Sequence, residues 1–183
     1  MKHMVQKRDN IELKIVVILI KNNMHIRGIA KTLRESHSTI FRKLEKLEKL
    51  NVVDSRVEGR NKVFFLKDTV LSRNYKIQSE INNLNEFIGK YPEFQILIKK
   101  ILKKTQGLNV FLFGSYAKPI AKKESDIDIY IETGDKKIKK AIEKINSKIN
   151  VKIGPFNKES DLIKEIIKNH IIIRGVEAFY DRN

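Results

Sequence analysis

The 183-residue sequence predicts an α+β chain of two domains. A small unit of three helices and a β-hairpin comes first, and an α/β unit with a small mixed sheet follows. Three observations carry this. Apolar residues recur at helical spacing through three short segments and then fall into two strand-like runs joined by a turn. After Gly107, strand-like runs alternate with helical ones. Within that second part, an apolar run ends in Gly114-Ser115, and ten residues later Asp126 and Asp128 flank a single isoleucine.

The first helix is predicted over 11–21, where Ile11, Leu13, Val16, Val17 and Ile20 share a face until Asn22-Asn23 break the pattern. Residues 25–33 read as a second helix, with Ile26, Ile29, Ala30 and Leu33 on one side. Ser36 is a good N-cap for a third helix running to about residue 50, with Ile40, Leu44, Leu47 and Leu50 as its buried stripe. Two strands, 52–57 and 63–67, are joined by Glu58-Gly59-Arg60-Asn61, a hairpin signal. Residues 68–92 form a connecting segment in which Ile77, Ile81, Leu84 and Ile88 keep helical spacing. That stripe serves either as a homodimer seam or as packing against the helix's own domain.

Pro92 opens a helix to about residue 104. Strands follow at 110–113, 127–131, 150–153 and 171–173, with helices at 136–148 and 159–168. The domain limits read as 1–67, 68–92 and 93–183.

Lysines and arginines number 38 against 22 acidic residues, a net charge of +16 that favours polyanionic partners. A solubilising basic surface is the alternative use of such charge. The first 67 residues carry 16 basic and 7 acidic side chains, so the smaller part is the more basic. No cysteine is present, which excludes disulfides and thiolate metal sites. His3, His25, His37 and His170 lack metal-ligand spacing. The apolar run 15–20 is too short to cross a bilayer and lacks a cleavage site, so a cytoplasmic protein with no membrane partner is expected.

The segment RGIAKTLRESHSTIFRKLEKLEKLNVVDSRVEGRNKVFFL resembles the winged helix-turn-helix of bacterial and archaeal transcription regulators. The resemblance implies double-stranded DNA as a partner, with the start of the third helix in the major groove. The candidate contacts are then Ser36, His37, Ser38, Thr39, Arg42 and Lys43. On the hairpin they are Arg56, Arg60 and Lys62, suited to the backbone or minor groove. Winged helices also act as docking modules, which remains an alternative.

The segment VFLFGSYAKPIAKKESDIDIYIE holds the chemistry. Glycine lets a phosphate approach the backbone, amides at a helix start favour an anion, and the Ser115 hydroxyl adds a donor. Residues two apart on a strand face one way, so Asp126 and Asp128 converge while Ile127, Ile129 and Ile131 turn inward. Two carboxylates beside a phosphate cradle suit Mg²⁺ carrying a nucleoside triphosphate. Lys118, Lys122 and Lys123 lie in the intervening loop and are read chiefly as solvated.

This pattern resembles the minimal nucleotidyltransferases of the DNA polymerase beta superfamily, whose signature is Gly-Ser, ten residues, then Asp-x-Asp. The closing IIIRGVEAFYD is similar to the last strand and turn of that family. The resemblance implies Gly114 and Ser115 as nucleotide-binding, Asp126 and Asp128 as catalytic metal ligands, and Mg²⁺ as cofactor. It also implies transfer of a nucleotide monophosphate, AMP from ATP, to a hydroxyl on a small molecule or on a partner protein such as a HEPN-type toxin.

One departure stands out. A third carboxylate is expected on a neighbouring strand, and KINVKIGPF there offers Asn150 and Lys152 instead. Glu132 lies on the face of Asp126 and Asp128 and is a candidate substitute. Two functions therefore compete: a nucleotidyltransferase coupled to DNA binding, or a DNA-binding regulator or antitoxin whose degenerate transferase domain only binds nucleotide or mediates assembly.

Overall fold

The computed structural model describes residues 10–118, 120–122 and 124–182. They form two compact units, divided between Ser79 and Glu80. Among the described residues no helix is long and apolar enough to cross a membrane.

The first unit contains α1 (Ile11–Lys21), β1 (Met24–His25), α2 (Ile26–Leu33), α3 (His37–Lys49), β2 (Val53–Glu58) and β3 (Asn61–Leu66). Its start signals are the ones chemistry requires. His25 Nδ1 accepts from the Gly28 amide at 2.8 Å and opens α2, and Ser36 Oγ accepts from the Thr39 amide at 3.1 Å and opens α3. The hairpin loop is only Gly59-Arg60, because Glu58 and Asn61 are already paired. Positive φ falls on Gly59 alone of the two, at 60°, as a type II′ turn demands.

Ile15, Val16, Ile29, Ile40, Leu44, Leu47, Val52 and Phe64 form the core, so three helices pack on a hairpin as a winged helix-turn-helix. The short strand β1 was not expected. It pairs antiparallel with β3 and makes the sheet three-stranded, in the order β1-β3-β2. Two residues are too few for periodicity to reveal.

The division between units falls within α4 (Val70–Lys90). Leu84 and Ile88, half of the apolar stripe, pack against the core of the second unit, whereas Ile81 is 49% exposed. The second unit continues with α5 (Phe94–Lys104), β4 (Val110–Phe113), a 3-10 turn (Gly114–Ala117), β5 (Ile127–Glu132), α6 (Lys136–Glu143), β6 (Ile149–Gly154), α7 (Asp161–Lys168), β7 (Ile171–Arg174) and α8 (Val176–Tyr180).

The sheet order is β6-β5-β4-β7. Strands β5 and β6 run parallel, joined by α6, while β4 is antiparallel to both β5 and β7. One sheet face, carrying Val110, Leu112, Ile127, Ile129, Ile131 and Val151, packs with Phe94, Ile98 and Ile101 of α5 and Ile142 of α6. The other carries Phe111, Phe113, Tyr130 and Ile172, packed with Ile163 and Ile166 of α7 and Phe179 of α8.

One boundary and one further helix depart from the sequence expectation. Helix α6 stops at Glu143 rather than near residue 148. There Asn146 Oδ1 accepts from the Lys148 amide at 2.9 Å, an Asx turn that redirects the chain into β6. The short helix α8 was also not foreseen; Gly175, with φ 92°, reverses the chain into it.

Candidate functional site

Strand β4 delivers the chain to Gly114 at the end of the sheet, directly beside β5, since Phe113 pairs with Asp128. Gly114 has φ 68°. A Cβ there would collide with Asp128 Oδ2 and lie 3.1 Å from its Cγ, so both backbone sign and space demand glycine. The turn that follows is fixed by Tyr116, whose ring packs against Phe94 at 4.8 Å and Tyr91 at 5.3 Å between centroids. Phe87 completes this aromatic group. The spacing of Phe87, Tyr91 and Phe94, one helical turn apart each time, was the unused signal for it. Ser115 lies half-buried within the turn.

Asp126 is exposed and immediately precedes β5, and Asp128 is half-buried within it. Burial pushes the Asp128 carboxyl up, and the Asp126 charge adds to this, opposed by the Asn150 hydrogen bond and by Lys152. The geometry therefore gathers Gly114, Asp126 and Asp128 at one end of the sheet.

The expected place of a third acid is occupied by Asn150. It pairs with Asp128 in the parallel register, and its Nδ2 donates to Asp128 Oδ1 at 3.0 Å. Lys152 pairs with Tyr130, one step farther along. Glu132 is committed elsewhere. It accepts from Arg182 Nη1 at 2.7 Å and from Asn109 Nδ2 at 2.8 Å, at the opposite end of β5. The buried Tyr130 stands between it and Asp128. Among the described residues no three His, Asp or Glu side chains converge as a metal cluster. Lys118 pairs with Glu165 at 2.5 Å, and Lys123 lies outside the described residues.

Residues 95–174 match the nucleotidyltransferase domain family. The matched segment runs from α5 to the end of β7 and spans the Gly-Ser turn, both aspartates and Asn150.

A 64-residue stretch, 35% of the chain, is 33% identical to an uncharacterised HTH-type transcriptional regulator of Methanocaldococcus jannaschii, and the chain spans 16% of that relative's length. Solved structures similar to the chain include the transcriptional repressor BigR of Xylella fastidiosa, at 14% identity and TM-score 0.34 over 36% of this chain and 64% of that one. Another is the adhesin competence repressor AdcR of Streptococcus pyogenes, at 19% identity and TM-score 0.37 over 56% of this chain and 83% of that one.

In the winged helix, His37, Ser38 and Arg42 of α3 are exposed, as is Ser36 before it. The Ser36 and Thr39 hydroxyls are bonded to each other at 2.8 Å within the cap. Lys43 does not reach outward freely: its Nζ bonds Glu12 of α1 at 3.0 Å. On the hairpin, Arg56 pairs with Glu58 at 2.6 Å and Lys62 with Glu48 at 3.1 Å, while Arg60 sits exposed in the loop. Sequence reasoning missed Phe41, which is 45% exposed on α3. Its position off the Ile40-Leu44-Leu47 stripe was the available signal.

Proposed function

We propose that the chain couples a winged-helix DNA-binding domain, residues 1–67, through a connecting segment, 68–92, to a Mg²⁺-dependent nucleotidyltransferase domain, 93–183. The observation that carries this is the fit between Gly114 and Asp128, a cradle that any added Cβ would fill, within a segment matching the transferase family. Two carboxylates, one exposed and one half-buried, are suitable donors for one hard divalent cation, and Asp126 and Asp128 would hold it. Mg²⁺ bound there offsets the charge of the triphosphate.

The residues of the chain supply the rest. The amides of the Gly114–Ala117 turn and the Ser115 hydroxyl orient the phosphates. Asn150 fixes the rotamer of Asp128 through its hydrogen bond. The acceptor oxygen attacks the α-phosphorus in line as the bond to pyrophosphate breaks, and its proton passes to solvent because no third carboxylate stands beside it. ATP as donor and a hydroxyl on a small molecule or a HEPN-type partner protein as acceptor follow from the family resemblance. Exposed His37, Ser38, Arg42 and Arg60 supply the DNA contacts, and the Ile77–Ile81 part of α4 contributes to a homodimer that light scattering would detect.

A second reading is favoured by one observation, the presence of Asn150 where a metal-binding acid belongs. In it the domain binds nucleotide without transferring it and modulates DNA binding, a coupling that must be reciprocal. Incubation with ATP labelled at the α-phosphate separates the two. Label moved to an acceptor by the wild type and not by Asp128→Ala supports transfer. Nucleotide binding with no transfer, together with altered DNA affinity, supports the second reading.

A further inference from the structure

Helices α5 and α6 cover the sheet face that carries Ile129 and Val151, the side opposite Asp128. Their outer surfaces are unusual in sign. Residues 94–104 and 136–144 contain nine lysines and a single acid, Glu143. Glu143 is itself taken, by Lys139 at 3.7 Å and by the Val151 amide. Lys99, Lys100, Lys103, Lys104, Lys136, Lys137, Lys140 and Lys144 are all exposed, and among the described residues none has a carboxylate partner. Four other basic residues of the same unit are paired: Lys118 with Glu165, Lys148 with Glu124, Lys164 with Glu159 and Arg182 with Glu132. A merely solubilising surface intersperses the two signs; this one does not.

A groove of roughly 440 Å³ runs between the helices, lined by Lys104, Lys137, Lys140, Lys144, Ala141 and Ile145. We propose that this α5–α6 face binds the phosphate backbone of duplex DNA without reading its bases. Extent argues for a polymer over a small polyphosphate. The lysines occupy the C-terminal half of α5, from Lys99 to Lys104, and continue along α6 from Lys136 to Lys144, roughly 12 Å of helix. Lys136, Lys140 and Lys144 recur at intervals of one helical turn, about 6 Å along the axis, so successive cations follow a line of phosphates. The groove lining contains no aromatic ring on which a base would stack and no amide or carboxylate to read a base edge, so contact is confined to the backbone. This surface does not depend on the Asp126–Asp128 reading, and EDTA leaves it intact.

The test uses the full chain, a random-sequence 20-base-pair duplex and EDTA throughout. Four variants in one protein, Lys104→Gln, Lys137→Gln, Lys140→Gln and Lys144→Gln, are compared with an equal charge loss elsewhere in the unit, Lys90→Gln, Lys158→Gln, Lys164→Gln and Lys168→Gln. The groove variant is expected to lose about tenfold or more in affinity, with the slope of log K against log salt falling by up to about 3.6. Acetylation of Lys104, Lys137, Lys140 and Lys144 in the wild type should be suppressed by duplex and restored by salt. Equal weakening in both variants would reduce the effect to net charge and overturn the proposal. So would protection confined to residues 1–67, or protection produced by tripolyphosphate and not by duplex.

Discussion

Asn150 on β6 stands beside Asp128 on β5 and donates a hydrogen bond to its Oδ1 at 3.0 Å. A neutral amide thus occupies the one position from which a third carboxylate would share the Asp126–Asp128 site. Asn150→Asp should restore that ligand. The expected result is at least about a tenfold tighter Mg²⁺-dependent binding of ATP, one decade being about 1.4 kcal/mol. In EDTA the same variant should be about 1 kcal/mol less stable, from the lost hydrogen bond and the facing charges. Calorimetry and thermal melts with and without metal check both halves.

Gly114→Ala tests the cradle from the other side. Left-handed backbone costs a side-chain-bearing residue about 1–2 kcal/mol, and the new methyl must displace the Asp128 carboxylate. Nucleotide binding should vanish while the chain stays folded at room temperature. Retained binding would place the nucleotide elsewhere.

Glu132 shares a strand face with the aspartates yet is held by Arg182 and Asn109. Glu132→Ala should therefore cost stability, on the order of 1–2 kcal/mol, and leave ATP affinity within about twofold. A loss of affinity comparable to Asp128→Ala would return Glu132 to the site.

Glu80 is buried, accepts from Tyr180 Oη at 2.9 Å and from Asn83 Nδ2 at 3.3 Å, and has His170 Nε2 3.7 Å away. Burial pushes its carboxyl up, but these partners prevail and hold it below its ordinary value of 4.5. A depressed carboxylate contributes stability that is complete above its unfolded value and is lost as pH falls through the folded one. Wild type should lose stability on acidification below about pH 4.5. Glu80→Gln, less stable by roughly 3 kcal/mol at neutral pH, should lose less over that interval. Parallel denaturant titrations at pH 7 and pH 4 measure the difference.

In the winged helix, Arg42 is exposed on α3, whereas Lys43 is bonded to Glu12 of α1. Arg42→Ala should weaken duplex binding by about 1–3 kcal/mol. Lys43→Ala should act mainly on the α1–α3 contact and lower stability by a few tenths to about 1 kcal/mol. Fluorescence anisotropy beside thermal melts separates these effects.

Much of this architecture was legible in the residues. The Ile40-Leu44-Leu47 stripe, the Ser36 cap and the Gly59-Arg60 turn are local, and each determines its element through nearby chemistry. The Gly114-Ser115 to Asp126-Ile-Asp128 spacing works for the same reason, because β4 and β5 are adjacent both in sequence and in the sheet. What sequence could not settle depends on partners distant along the chain. Glu132 shows the right alternation, yet only the fold brings Arg182 to it. Lys43 looks like a phosphate contact until α1 presents Glu12. The two-residue β1 exists only because β3 offers it a ladder. The lysines of α5 and α6 form one surface only because those helices lie side by side.

The most direct measurement is a calorimetric titration of the full chain with ATP in Mg²⁺ and in EDTA, with the Asp126→Ala/Asp128→Ala double variant alongside. Binding by the wild type in Mg²⁺, lost in EDTA and lost in the variant, is the predicted result. Heat that is unchanged by EDTA or by removal of both carboxylates, or no binding by the wild type at all, would contradict the assignment of Gly114, Asp126 and Asp128 as a metal–nucleotide site.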